Sequence, residues 1–378
     1  MPLNQPWPLL GGLSPARFMQ RHWQKKPLLV RQAWPQVNPP VTRQQLFELA
    51  ARDDVESRLV SQRPGEPESW QLARGPLPRR RLPPLKQPGW TLLVQGLDLH
   101  VQAAHEMLRR FRFVPDARLD DLMVSWASDG GGVGPHLDSY DVFLLQVQGC
   151  RRWRVGRVAD DRLVPGLPVR ILQHFEPQQE WVLEPGDMLY LPPRWGHDGT
   201  AQGECMTCSI GFRVPTVDGL ASELLARLAD EESLRDRLYR DPAQPATSSP
   251  GRVPEALQAF AHEALRARLA TPGLLDEHLG ELLTEPKPQV WFEAGSTAPP
   301  GAAVVLDRRS RMMYDARHVF INGESFRAGG RDARSMARLA DRRRLEAADI
   351  ERLSPDAREL LDDWLRQGWL RWTEVDDG

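Results

Sequence analysis

Between Leu122 and Phe212 the chain repeats one pattern, a short β-prone segment followed by a turn, and this rhythm restricts the fold more than any other feature. The segments LMVSWA, HLDSYDVFLLQV, RRWRVG, PVRILQ, EWVLE, DMLYLP and MTCSIGFRV are parted by turn-forming stretches such as GGGVGP, QGC, EPGD and PPRWG. Strands joined so closely favour a barrel or sandwich over a parallel sheet. Ahead of this region, Ser14 and Pro15 read as the cap and first residue of a short helix through Phe18 and Trp23, which Pro27 ends. Leu28 to Val30 then reads as extended, RLVS and SWQL flank a Pro/Gly/Glu turn between Arg58 and Leu72, and Gln102 to Phe113 has helical spacing.

After Pro215 the residues turn to Leu, Ala, Arg and Glu with helical period, as GLASELLARLADEESLRDRLY, EALQAFAHEALRARL and GLLDEHLGELL. Their wide apolar faces can be buried on a second copy of the chain or on the barrel. From Pro288 short β-prone pieces around VVLD and HVFING alternate with helical ones, the pattern of a small winged-helix-like domain. A chain of 378 residues accommodates this as three parts: 1–215 catalytic, 216–287 helical and dimerising, and 288–378 winged-helix-like.

The formal net charge is only −2, with Lys and Arg dispersed, so direct binding to nucleic acid is not expected. Three cysteines make no disulfide framework, and MPLNQPWPLLGG has no basic start followed by an apolar run, so a reducing cytoplasm is the expected location. No apolar run approaches the roughly 20 residues that span a bilayer.

The chemistry concentrates at His136, Asp138 and His197. Residues two apart on a strand share a face, so His136 and Asp138 would both look into the barrel. An H-x-D pair alone reads more readily as a solvated or satisfied surface pair. His197 changes this, because EPGDMLYLPPRWG reads as a turn, a buried strand and a rigid double-proline turn that delivers the imidazole to a defined place. Two imidazoles and one carboxylate form the facial triad that holds iron(II) and leaves positions open, whereas structural zinc takes four protein ligands, usually with cysteine. Cys205 and Cys208, three apart on a strand, face opposite ways and are not expected to bind metal. His22, His105 and His174 lack partner spacing. The run Gly130 to Gly134 precedes a strand rather than a helix, so it is read as a flexible lip of the pocket and not a phosphate cradle.

The stretches RFMQRHWQKKPLLV, DDLMVSWASDGGGVGPHLDSYDVFLLQVQGCRRWRVG and LEPGDMLYLPPRWGHDG together resemble the JmjC-type ribosomal oxygenases, most closely the bacterial arginine hydroxylases of ribosomal proteins. The resemblance implies an α+β fold, a double-stranded β-helix (cupin/JmjC) barrel followed by a helical dimerisation region and a small winged-helix-like C-terminal domain. It implies iron(II), 2-oxoglutarate and O2 as reactants, homodimerisation, and β-hydroxylation of an arginine in the sixteenth protein of the large ribosomal subunit. The distal carboxylate of 2-oxoglutarate needs a cation in the low-dielectric barrel. Arg151 matches the family position for it, though register alone does not separate Arg151 from Arg152 and Arg154. Asp121, Met123, Tyr140 and Ser209 match the family's substrate pocket, where an acid, a thioether, a ring and a hydroxyl can surround a guanidinium; Met123 and Tyr140 read equally as core filling and Asp121 as a turn cap. Two other readings stand beside this one, a metal-binding cupin without oxygenase activity and a non-enzymatic ribosome-associated adaptor.

Overall fold

The computed structural model describes residues 2–63, 66, 69–230, 238–242, 244–246, 248–299 and 301–373. They fall into two compact units, 1–214 and 215–378.

In the first unit the strands are β1 (Leu28–Val30), β2 (Ser57–Ser61), β3 (Gln71–Arg74), β4 (Trp90–Val94), β5 (Leu119–Ala127), β6 (His136–Leu137), β7 (Val142–Arg157), β8 (Gln179–Leu183), β9 (Met188–Leu191) and β10 (Trp195–Phe212). They form one antiparallel sheet ordered β1-β9-β7-β10-β5-β4-β2-β3, with β6 paired to β10 and β8 to β7, which is the expected barrel. Helices α1 (Pro15–Arg21), α2 (Arg43–Ala50), α3 (Leu97–His100) and α4 (Gln102–Arg109) complete the unit. Helix α1 starts where expected because the Ser14 hydroxyl accepts the Arg17 backbone N–H at 3.2 Å. A reciprocal Thr42–Gln45 capping box opens α2.

The core gathers around aromatic rings. Phe143 and Phe18 each stand 4.9 Å from Tyr190, and Trp90 lies 4.6 Å from Trp126. Fully burying a large apolar side chain stabilises by roughly 1.5–3 kcal/mol, so this cluster anchors the strands that carry the site.

Four expectations about the strands are corrected. QGC is not a turn: β7 runs through it, and Gly149 at φ +59° forms a bulge where the pairing with β10 shifts register between Gln202 and Met206. A Cβ at Gly149 would stand 2.2 Å from the Glu204 carbonyl oxygen, so glycine is needed at this crossing. PVRILQ is not a strand and makes only an isolated bridge, Leu163 to Leu172. The last barrel strand begins at Trp195, straight after the Pro193–Arg194 turn, and not at Met206, so His197 lies inside it. Asp138 follows β6 just ahead of the bend at Ser139–Tyr140 and does not share a strand with His136. The Pro/Gly/Glu turn expected between β2 and β3 lies partly outside the described residues.

Asp187, from the EPGD turn, ties β1 to β9. Its buried carboxylate accepts the backbone N–H of Gln32 at 2.9 Å and of Glu184 at 3.1 Å, and the Arg31 guanidinium at 2.6 Å. Burial pushes its pKa up, but these donors outweigh burial and hold it below the usual carboxylate value. A depressed folded-state pKa contributes stability above the unfolded value near 4, and that stability is lost as pH falls through the folded one. Asp187→Asn is therefore expected to lower stability by about 1.5–3 kcal/mol at pH 7, with the gap closing toward pH 3. Urea midpoints at both pH values check this; an equal gap at each would refute it.

The second unit holds α5 (Val217–Asp230), α6 (Glu255–Leu269), α7 (Leu274–Thr284), β11 (Ala303–Leu306), β12 (Met312–Tyr314), β13 (His318–Ile321), β14 (Glu324–Arg327), α8 (Gly330–Arg342), β15 (Arg344–Leu345), α9 (Ala347–Ile350), α10 (Pro355–Arg366) and β16 (Leu370–Thr373). Two three-stranded sheets, β15-β11-β16 and β12-β13-β14, enclose a core of Met336, Leu339, Leu361 and Trp364 with α8 and α10. Helix α7, grouped by sequence with the helical segment, packs on β12, β13 and β14. Gly280 allows this, since a Cβ there would lie 2.3 Å from the Phe320 ring. Helix α6 buries none of its side chains among the described residues, and Leu265 and Leu269 stay exposed. The continuation expected beyond α5, residues 231–237, lies outside the described residues. No helix among the described residues is long and apolar enough to cross a membrane.

Candidate active site

Strand register brings the two histidines together. His136 on β6 and His197 on β10 are direct cross-strand partners, and their ring centroids lie 4.1 Å apart. Asp138 joins them from the residue after β6, its Oδ2 lying 3.6 Å from His197 Nε2, and one ligand atom from each of the three lies within 4.8 Å of the others. The backbone sets the tautomers. His136 Nδ1 donates to the Gly134 carbonyl at 2.9 Å and His197 Nδ1 to the Trp195 carbonyl at 3.2 Å. Because a carbonyl can only accept, both Nδ1 atoms carry the proton and both Nε2 lone pairs are left for a metal. Burial, then the neighbouring His136 imidazole, holds the His197 pKa down at about 4. Two imidazoles and one carboxylate suit a divalent transition-metal ion of the iron(II) type, and positions stay open because three protein ligands converge among the described residues.

These side chains face a cavity of about 870 Å³. Alternation along the strands determines what reaches it: Asp121, Met123 and Ser125 from β5, Arg151 and Trp153 from β7, and Ser209 from β10. Arg151 is 5% exposed; its Nη1 donates to Ser125 Oγ at 3.2 Å, while its Nε and Nη2 are buried with no hydrogen-bond partner. Buried guanidinium N–H groups without acceptors are costly, and a carboxylate entering the cavity would satisfy them. The neighbouring arginines are placed differently from Arg151, which lines the cavity. Arg154 pairs with Asp198, and Arg152, though its Nε too is buried without a partner, does not line the cavity.

The other four expected residues line the same cavity. Asp121 both lines the cavity and secures a turn: its Oδ2 accepts from Gln95 Nε2 at 2.7 Å and, at 2.8 Å, from the N–H of Gly96, the residue that opens α3. Met123 and Ser209 are cross-strand partners on β5 and β10. Tyr140 is 39% exposed, yet its phenol faces the cavity, where desolvation and then the Asp138 and Asp121 carboxylates push its pKa up, so it stays neutral. Sequence reading missed Ser125, Trp153 and Gln95. Ser125 and Trp153 were legible in principle, two positions beyond Met123 and Arg151 on the same strand faces.

The glycine run is a packed connector, not a flexible lip. The Gly131 N–H donates to the Ser128 carbonyl at 2.8 Å, its carbonyl accepts the Ala201 N–H at 2.9 Å, and a Cβ there would meet the Trp90 carbonyl oxygen at 2.3 Å. Cys205 and Cys208 enter different core clusters, as expected of opposite strand faces. His105 is buried, His22 lies near the Pro27 carbonyl, and His174 is exposed; none lines the cavity. Gly199 lets the Trp153 indole lie beside His197, since a Cβ there would be 2.6 Å from that ring. Gly199→Val is expected to cost about 1–3 kcal/mol of stability and to weaken cobalt(II) binding by displacing the indole toward the triad. Denaturant unfolding and metal titration check this; wild-type values in both would refute it.

Residues 106–220 match the JmjC domain family and residues 264–371 the ROXA-like winged helix, a span that includes α7. The chain is 34% identical over 304 residues to the ribosomal protein uL16 3-hydroxylase of Escherichia coli K12, covering 79% of this chain and 76% of that one. It is 37% identical over 211 residues to a probable ribosomal oxygenase of Haemophilus influenzae, covering 55% and 52%. The solved structure of YcfD, a ribosomal oxygenase from Escherichia coli in complex with cobalt and 2-oxoglutarate, superposes with a TM-score of 0.81 at 29% identity over 96% of this chain and 99% of that one. Identity on this scale, carried through barrel and winged helix alike, reflects common descent, and the chain belongs to the JmjC-type ribosomal oxygenase family.

Proposed function

We propose that this chain is an iron(II)- and 2-oxoglutarate-dependent dioxygenase that hydroxylates the β-carbon of an arginine in ribosomal protein uL16. The observation that carries the reading is Arg151, whose buried, unpartnered N–H groups face the cavity that His136, Asp138 and His197 also line. A metal-binding cupin without oxygenase activity has no use for that cation, and an adaptor has no use for three converging ligands. When bound, iron(II) with 2-oxoglutarate and oxygen supplies the oxidising power to hydroxylate an unactivated carbon. The chain supplies position. Arg151 holds the far carboxylate of the co-substrate, while Asp121 accepts from the substrate guanidinium and Tyr140 and Met123 lie against it, with Ser209 adding a hydroxyl.

The uL16 activity of the Escherichia coli relative supports the substrate assignment. Incubating the protein with iron(II), 2-oxoglutarate, oxygen and uL16 peptides is expected to add one oxygen to one arginine, read by mass spectrometry. No added oxygen on arginine, with 2-oxoglutarate still consumed, would reject the substrate; no consumption at all would reject the chemistry.

The same reading includes a cytoplasmic homodimer. The exposed leucines of α6 support it, because such a face is stabilised by a second copy. Sedimentation equilibrium is expected to give twice the 42.9 kDa chain mass, and a monomer at micromolar concentration would exclude it.

A further inference from the structure

The charges lining the cavity divide into those already engaged and those that are not. Asp120 pairs with Arg213 at 3.3 Å, Asp121 is held by Gln95 and Gly96, and Asp138 belongs to the triad. Arg58 donates to Gln95 at 3.0 Å and Arg151 to Ser125. Three further arginines line the cavity and are exposed, which puts them at its mouth: Arg74 on β3, Arg170 in the loop after β7, and Arg194 just ahead of β10. Among the described residues none of these three side chains has a hydrogen bond or ion pair, and Asp161 is the one cavity-lining acid equally unengaged. Arg194 also sits at φ +67°, a left-handed conformation that glycine or asparagine would adopt more readily, so backbone preference does not account for an arginine there.

We propose that Arg74, Arg170 and Arg194 form an electrostatic funnel that speeds capture of the dianionic co-substrate and passes it inward to Arg151. This rests on the co-substrate reading above. Unpaired charges of one sign around a low-dielectric cleft focus the field and raise the arrival rate of an opposite charge without touching it once bound. The same field opposes a cationic side chain until the two negative charges of 2-oxoglutarate have entered. It therefore favours loading of the co-substrate ahead of an arginine-bearing peptide.

Steering and gripping differ in kinetics, and this gives the test. The full chain loaded with iron(II) without oxygen is mixed rapidly with 2-oxoglutarate, and the visible band of the iron–co-substrate complex is followed. The association rate constant is expected to fall about tenfold as salt rises from about 10 mM to about 500 mM, because the Debye length shrinks from about 30 Å to a few ångströms. The triple variant R74Q/R170Q/R194Q is expected to associate about tenfold more slowly at low salt, to lose most of the salt dependence, and to dissociate at the wild-type rate. Unchanged association in the triple variant, or a change confined to dissociation, would overturn the funnel while leaving the site reading intact. Absence of the band in the unmodified protein would instead overturn the co-substrate reading and the funnel with it.

Discussion

Alanine in place of His197 is expected to weaken metal binding by at least about a hundredfold and to reduce arginine hydroxylation below detection, with the barrel still folded. Loss of even a group that only orients a metal ligand costs about 10–100-fold in affinity, and His197 offers the lone pair itself. The imidazole is 2% exposed, its Nδ1 is tied to Trp195, and its Nε2 faces Asp138 at 3.6 Å, so no neighbouring side chain replaces it. Two ligands, His136 and Asp138, would remain. Cobalt(II) titration read by visible absorbance, with circular dichroism to report folding, separates loss of the site from loss of the fold. A full equivalent of tightly bound cobalt in a folded His197→Ala protein would eliminate the triad.

Arg151 carries the second large expectation, which has two parts of opposite sign. Removing it should raise the concentration of 2-oxoglutarate needed for half-saturation by about 10–100-fold, since hydrogen bonds to charged groups contribute about 1.5–3 kcal/mol each and about 1.4 kcal/mol is tenfold. Arg151→Lys should recover part of the loss, keeping the charge but not the paired N–H geometry. Without co-substrate the outcome reverses. Nε and Nη2 are buried and unsatisfied, so Arg151→Met, which keeps the bulk and discards the charge, is expected to be as stable as the parent chain or more so. Calorimetric binding of 2-oxoglutarate and thermal unfolding with and without it measure both parts. Undiminished affinity in Arg151→Met would move the carboxylate grip elsewhere.

The elements readable beforehand were those decided by neighbours in the chain. Ser14 caps α1 through a contact three residues away, and α6 spans Glu255–Leu269, the EALQAFAHEALRARL segment itself. The triad was legible for a related reason, because ligand chemistry belongs to residue type and the turns around His136 and His197 announce themselves. Other features were set by partners far along the chain. QGC has the composition of a turn, yet pairing with β10 drew β7 straight through it and left a bulge at Gly149. Helix α7 had helical period but no sign of its destination until Gly280 met Phe320.

Local composition alone thus pointed to a barrel or sandwich of β-strands, helices beyond Pro215, and a His/Asp/His set able to hold a metal, since periodicity, turn residues and donor atoms are properties of short segments. The identity of the cavity-facing arginine was settled only in three dimensions. Pairing across β7, β8 and β10 turns Arg151 inward and Arg154 toward Asp198, and strand register is a property of the partner strands that no segment holds by itself.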